Sequence, residues 1–185
     1  MIKILIDSKI FHYVNRFAED CKMRFNLAGV RFEKNLDVVA TDGHKMGIMN
    51  NGFEIVEWDD EEHSGFTVIT KYEKEVKKSV KLLSGKIEIV AEFKEGRIEI
   101  TLKDEKGITL RLEGCDQYPD YMKVVPERTD KTESNHIKFN PKFLMDFAGY
   151  EKDDRITLEI HSDREPMLVF NSKLSDFVGV LMPCA

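Results

Sequence analysis

The sequence predicts an α+β fold of three repeated β-α-β-β-β units, with antiparallel sheets on one side and helices on the other. Three observations carry this. A short apolar opener followed by a stretch of helical period occurs three times along the 185 residues. Each occurrence precedes three segments whose apolar residues alternate, the period of a strand with one buried face. The junctions between those segments hold the residues that tight turns select. Sequence identity between the units is negligible, so the repeat lies in the pattern.

The first unit opens with Ile2–Ile6 and continues as a helix over about Lys9–Lys22, with Ile10, Val14, Phe17 and Cys21 as its apolar set. Strands are expected at Ala28–Glu33, Leu36–Thr41 and Lys45–Met49. The second opens with Phe66–Ile69 and continues as a helix over Lys71–Leu83, where Tyr72, Val76, Val80 and Leu83 make one stripe. Its strands are Lys86–Phe93, Arg97–Lys103 and Ile108–Glu113. The third opens with His136–Phe139, turns helical over Pro141–Gly149, and ends in Arg155–His161, Met167–Phe170 and Phe177–Met182. Ser8, Thr70 and Asn140 are candidate helix caps, and Pro141 suits a first helical position. Turns are expected at Lys34-Asn35, Glu95-Gly96, Lys106-Gly107 and Ser162-Asp163. Residues 1–127 therefore read as one complete two-unit domain, 128–135 as a polar linker, and 136–185 as half a domain.

Composition narrows the function. No apolar run approaches the length of a membrane span, no signal-peptide pattern is present, and a cytoplasmic location follows. Cys21, Cys115 and Cys184 are far apart and lack zinc-ligand spacing, so neither metal nor cofactor is expected. The acidic run Asp59, Asp60, Glu61, Glu62 and His63 reads as a solvated loop. Asp42-Gly43 is first a turn signal. No nucleophile, phosphate-loop or metalloprotease motif occurs, and the chain reads as a non-enzyme. The net charge is −6, so any contact with nucleic acid depends on where the lysines gather. Lys74, Lys77, Lys78 and Lys81 form one stripe, opposite the apolar one. By itself such a stripe is more often a solvated face. Its chemistry also suits weak, sequence-independent phosphate contact.

Three short islands sharpen the reading: Ala40-Thr41-Asp42-Gly43-His44-Lys45, Tyr118-Pro119-Asp120-Tyr121 and Val180-Leu181-Met182-Pro183. Each is weak alone. In this order, and at these positions relative to the helices, they resemble the second and third domains of the bacterial DNA polymerase III beta sliding clamp family. That resemblance implies the DNA clamp fold, with sheets outside and helices on the inner face of a ring. It turns the lysine stripe toward duplex DNA. It also implies a hydrophobic groove for linear peptide motifs of a polymerase or a clamp loader. The residues carried over are Leu27, Thr41, Gly43, His44, Lys45 and Met46, then Pro119, Lys123 and Val124, then Val180, Leu181, Met182 and Pro183. Two departures stand out. Lys45-Met46 replaces the usual Arg-Leu, losing the guanidinium fork. After Met182-Pro183 come only Cys184-Ala185, where the family ends in a methionine, an arginine and a leucine.

The resemblance maps onto half of a three-domain subunit. A family ring holds six domains of two units each, so four chains of three units would complete it as a homotetramer. The leading reading is a minimal sliding clamp and polymerase processivity factor, and reduced size is consistent with a bacteriophage or mobile-element source. The alternative is a regulatory decoy that keeps the groove but encircles no DNA. Assembly discriminates them: a clamp must close.

Overall fold

The computed structural model describes residues 1–20, 24–126, 138–162 and 164–183. The first unit contains β1 (Ile2–Asp7), α1 (Ser8–Asn15), β2 (Gly29–Glu33), β3 (Val38–Thr41), β4 (Lys45–Met49) and β5 (Glu54–Trp58). The second contains β6 (Gly65–Ile69), α2 (Lys74–Val80), β7 (Lys86–Lys94), β8 (Arg97–Asp104) and β9 (Thr109–Cys115). The third contains α3 (Pro141–Leu144), β10 (Ile156–Glu159), β11 (Met167–Asn171) and β12 (Leu174–Leu181).

All strand pairs are antiparallel, in one sheet of order β10-β11-β12-β4-β3-β2-β6-β9-β8-β7-β1-β5. The openers are exchanged between the first two units. β1 pairs with β7 of the second, and β6 pairs with β2 of the first. Each opener also touches the end of its own unit: β1 meets β5, and β6 meets Gly114 and Cys115 at the end of β9. This two-way exchange ties both units into one core. Among the described residues the third unit has no such mate. Lys138–Asn140 forms no strand, and His136 lies outside the described residues, as does the 128–135 segment.

The turns explain themselves. Gly96 and Gly107 have φ of 76° and 87°, a region that a side chain would make costly. At Thr41-Asp42-Gly43-His44, Asp42 Oδ1 accepts from the N–H groups of His44 (2.9 Å) and Lys45 (3.0 Å), while Gly43 takes φ 84°. The Asp-Gly pair is turn chemistry.

The helices are shorter than their apolar periods suggest, and all three leave in the same way. An i→i−3 bond closes the exit: Phe17 N–H to Val14, Leu83 N–H to Val80, and Phe147 N–H to Leu144. The tightened turn drives Phe17, Leu83 and Phe147 into the core, where each is buried. This shared exit is the repeat made visible in three dimensions. The caps differ from expectation at two of three starts. Asp7 precedes Ser8 and accepts from Lys9 N–H (2.7 Å). Thr70 is spent elsewhere: its hydroxyl donates to Asn15 Oδ1 at 2.6 Å, and α2 begins after Glu73 without a side-chain cap. Asn140 does cap α3, accepting from Lys142 N–H. β5 is the unanticipated element, an exposed edge strand beside β1.

The large core lies between the sheet and the helices, built from Ile2, Ile4, Phe11, Phe32, Phe66, Ile87, Phe147 and Phe177 among others. It runs without interruption from the first unit into the third. At the seam β12 pairs with β4, placing Gly179 opposite Gly47. Phe17 covers Gly47 and Phe147 covers Gly179 so closely that a Cβ at either glycine would overlap the ring. The two rings meet at 4.8 Å. α1 grips the end of the α3 turn: Tyr13 Oη donates to the Phe147 carbonyl, and the Arg16 guanidinium donates to those of Ala148 (2.8 Å) and Gly149 (3.1 Å). Asn171 Nδ2 reaches the same Phe147 carbonyl at 2.9 Å and Asp154 at 2.7 Å.

Candidate functional site

Because strand side chains alternate in direction, β4 and β12 present two different faces. On the face away from the helices a second apolar cluster forms from Val39, Met46, Ile48, Tyr121, Leu168 and Val180. Tyr118, Val125, Phe170 and Val178 pack against it. Met46 and Val180 are direct cross-strand neighbours over the seam, and Thr41 pairs with Met46 across the β3–β4 hairpin. Two of the three sequence islands therefore meet here by β-pairing, and the third closes over them. Tyr118 and Tyr121 anchor that third island. Tyr121 donates to Asp37 Oδ2 at 2.8 Å, and the Arg31 guanidinium lies 5.8 Å from the Tyr118 ring centroid while donating to the Asp116 carbonyl at 2.9 Å. Burial pushes both phenols well above their usual range.

The predicted groove residues other than Leu27 divide into three sets. Met46 and Val180 lie in the cluster. Gly43, His44, Pro119, Lys123 and Val124 are exposed, and Thr41, Met182 and Pro183 are half-buried. The Met182 N–H donates to the His44 carbonyl at 2.9 Å, so the last described residues run beside the Asp-Gly turn. His44 stacks on Phe143 of α3 with ring centroids 5.7 Å apart. Lys45 and Leu181 are the third set, and they point the other way. Leu181 belongs to the large core. Lys45 is buried, its ammonium held by Asp146 (2.8 Å), by Asp42 (3.6 Å) and by the Arg16 carbonyl (3.0 Å). Its role in the geometry is to pin β4 to the turn that follows α3. Leu27 is buried in a short 3-10 turn, Phe25–Leu27, and is not a member of the Met46–Val180 cluster. Val39, Ile48, Leu168, Phe170 and Val178 complete the outer cluster although no island contains them. Their signal was present as the alternate positions of strands already read from the sequence.

Three of the four stripe lysines fall on the seven-residue α2, and Lys81 is its C-terminal cap. Lys74, Lys78 and Lys81 are exposed, and Lys77 pairs with Asp20. Val80 and Leu83 face the core, with Val76 packed beside them. Lys71, just before the helix, sits between the Arg16 and Ala18 carbonyls, and burial, with Lys45 nearby, lowers its pKa to about 8. The acidic run folds on itself: Asp60 Oδ1 accepts from the His63 ring at 2.9 Å and from the Glu62 and His63 N–H groups. Among the described residues no three His, Cys, Asp or Glu side chains gather as metal ligands. A cleft of about 980 Å³ lies elsewhere, bordered by Phe25, Tyr72, Val76, Ile98, Arg111 and Leu112. No groove residue lines it.

No family model matches the chain, and no curated protein matches it. Solved structures do. It is similar to the DNA polymerase III beta subunit of Thermotoga maritima, with a TM-score of 0.72 and 19% identity over 100% of this chain and 66% of that one. The beta subunit of Borrelia burgdorferi gives 0.70 and 17%, covering 100% and 64%. That of Pseudomonas aeruginosa gives 0.71 and 18%, covering 100% and 67%. The fold is thus that of these sliding clamps, and the chain spans about two thirds of their length.

Proposed function

We propose, from the premise that this chain has the sliding-clamp fold, that it is a minimal DNA sliding clamp and polymerase processivity factor. The observation that carries the reading is the unbroken sheet through the β4–β12 seam, with the helices and their shared core on one side. A ring wall needs that continuity between domains. Residues 1–127 form the complete domain in this reading and 136–185 the half domain. The half domain is completed by the same half of a second chain, an isologous contact. Four chains then close a ring by twofold axes only.

Duplex DNA passes on the helix side. Lys74, Lys78 and Lys81 contact phosphates weakly and without sequence preference, as sliding requires. Partner peptides from a polymerase or a clamp loader dock on the opposite face, around Met46, Val180, Met182, His44 and Pro119, in an extended form with apolar anchors. Lys45 and Leu181 support that site from beneath the sheet. Catalysis has no place in this reading, and the protein works in the cytoplasm, its host's if it is of phage origin.

Mass photometry of the full chain at micromolar concentration tests the ring, with a tetramer expected. A stable monomer overturns it and leaves the decoy reading. Titration of a fluorescent peptide with a Gln-x-Leu-Phe-like core tests the groove. Saturable binding is expected, weakened at least tenfold by Met182→Glu. No saturation near millimolar peptide refutes the site.

A further inference from the structure

One strand edge in this molecule is left open where its counterpart is closed. In the first unit β4 is the last strand of the three-strand meander, and its outer edge is taken by β12 over Lys45–Met49. In the second unit β9 holds the same place after β7 and β8. It pairs with β8 on one side over Thr109–Gly114. On its other side only Gly114 and Cys115 are engaged, by Val68 and Thr67 of β6. The edge from Thr109 to Glu113 has no partner strand among the described residues. An open edge of this length is a template for pairing, and proteins ordinarily cover or charge it.

We propose that β9 pairs antiparallel with β9 of a second copy of this chain, with Leu112 on the twofold axis. This rests on the clamp reading above and specifies one of the two contacts that a tetramer requires. Three features of β9 select the occupant and the register. The inward residues Leu110 and Leu112 are half-buried and pack against the large core, so a strand added at this edge covers apolar surface already facing inward. The outward residues Arg111 and Glu113 are exposed; Glu99 on β8, which feels the Arg111 charge, has a close ion pair with Arg97. With Leu112 on the axis, Arg111 of each copy lies opposite Glu113 of the other, twice over. Moving the axis to Arg111 would set two guanidinium groups against each other, and like charges directly opposite are destabilising. The strand carries its own complement only in the first register.

β5 offers the competing edge, with Ile55 at 40% and Val56 at 52% exposure. It carries Glu54 and Glu57 and no basic residue, so a second β5 would meet acid with acid.

The test is a charge exchange in the full chain, read by sedimentation velocity. Arg111→Glu and Glu113→Arg each place like charges opposite twice. Each should split tetramers into dimers, raising the dimer–tetramer midpoint about tenfold or more. The double variant restores the pairing in mirror image and should return the midpoint to near wild type. Leu112→Cys should form a covalent dimer on mild oxidation, because residues facing each other across an antiparallel pair lie within disulfide range. Tetramers insensitive to all of these changes overturn the β9 contact while leaving the ring standing. If Val56→Glu splits them instead, the contact belongs to β5. A wild type that is only a monomer refutes this contact and the ring together. A wild type that stops at a dimer keeps the contact if Arg111→Glu dissociates it and Leu112→Cys cross-links it, and refutes the contact if neither occurs.

Discussion

The two faces of β4 do opposite work within five residues. On the helix side, Lys45, Gly47 and Met49 are sealed: the ammonium is enclosed by two carboxylates and a carbonyl, and the glycine lies flat under Phe17. On the other side Met46 and Ile48 join a smaller cluster whose rim is half-open, at Thr41, Met182 and Pro183. One face fixes the relation of the third unit to the first. The other carries a smaller apolar cluster that is itself buried beneath Tyr121, with only its rim half-exposed. The difference teaches that a strand motif must be divided by parity before it is assigned a role. Adjacent residues of one island serve different masters.

The comparison breaks most readily on the sealed side. Phe147→Ala removes a ring that touches Phe17, Phe177 and Gly179. It should cost about 3–5 kcal/mol, as large-to-small changes in cores do, and urea unfolding measures it. If the loss is under about 1 kcal/mol, the seam is not a packed core. Gly47→Ala is the converse: it adds a methyl where Phe17 already lies. We expect a loss of about 1–3 kcal/mol, partly relieved when Phe17→Leu is introduced with it. No relief would mean that backbone strain, not the ring, sets the cost.

Tyr13→Phe sharpens the comparison by deleting one hydroxyl, which donates to the Phe147 carbonyl and accepts at 3.5 Å from Asn171 Nδ2. The Phe147 carbonyl keeps its bond from Asn171, so the loss should stay near 1 kcal/mol. A much larger loss would show that the hydroxyl carries the junction.

The smallest expected effect concerns pH. Lys71 has its pKa lowered to about 8 by burial, with Lys45 as the next cause. The unfolded chain holds that proton to a pH near 10.4. Between those values the unfolded state binds more protons, so stability contributed at this site rises with pH. Below about 8 the penalty for the buried charge is fully present. Relative to Lys71→Met, the wild type should therefore gain stability from pH 8 to pH 10, in matched thermal or urea melts. A flat difference across that window would place the ammonium in solvent. Tyr13, Tyr118 and Tyr121 act in the opposite sense above pH 10. Their raised values mean that the folded state retains protons the unfolded chain has released, and stability falls there.

Most of the strand plan was legible because period-two alternation survives wherever one face is wet. All nine meander strands, from β2 to β12, are present near their expected positions. β5 was not legible. Its residues Glu54–Trp58 are exposed on nearly every side, so nothing in their order distinguishes strand from loop. The caps misled for a local reason: Thr70 has a better acceptor in Asn15, a residue 55 positions away that no window of sequence would reveal. For the candidate site, the islands identified which segments converge. They did not show the facing of Lys45 and Leu181, although strand alternation already contained it. What lay beyond reach was the glycine pair, since Gly47 and Gly179 acquire their meaning only when β4 and β12 are side by side.

That late partnership has a consequence for biosynthesis. A ribosome releases β4 long before β12 exists, and at typical elongation rates the interval is on the order of ten seconds. Throughout it, the outer edge of Lys45–Met49 is bare, with methionine and isoleucine on one face, although β3 already pairs its inner edge and Phe17 already covers Gly47. The nascent chain must hold an adhesive border open until its own distal hairpin arrives to occupy it. The time for which that border stays uncovered is therefore set by synthesis speed and not by equilibrium stability.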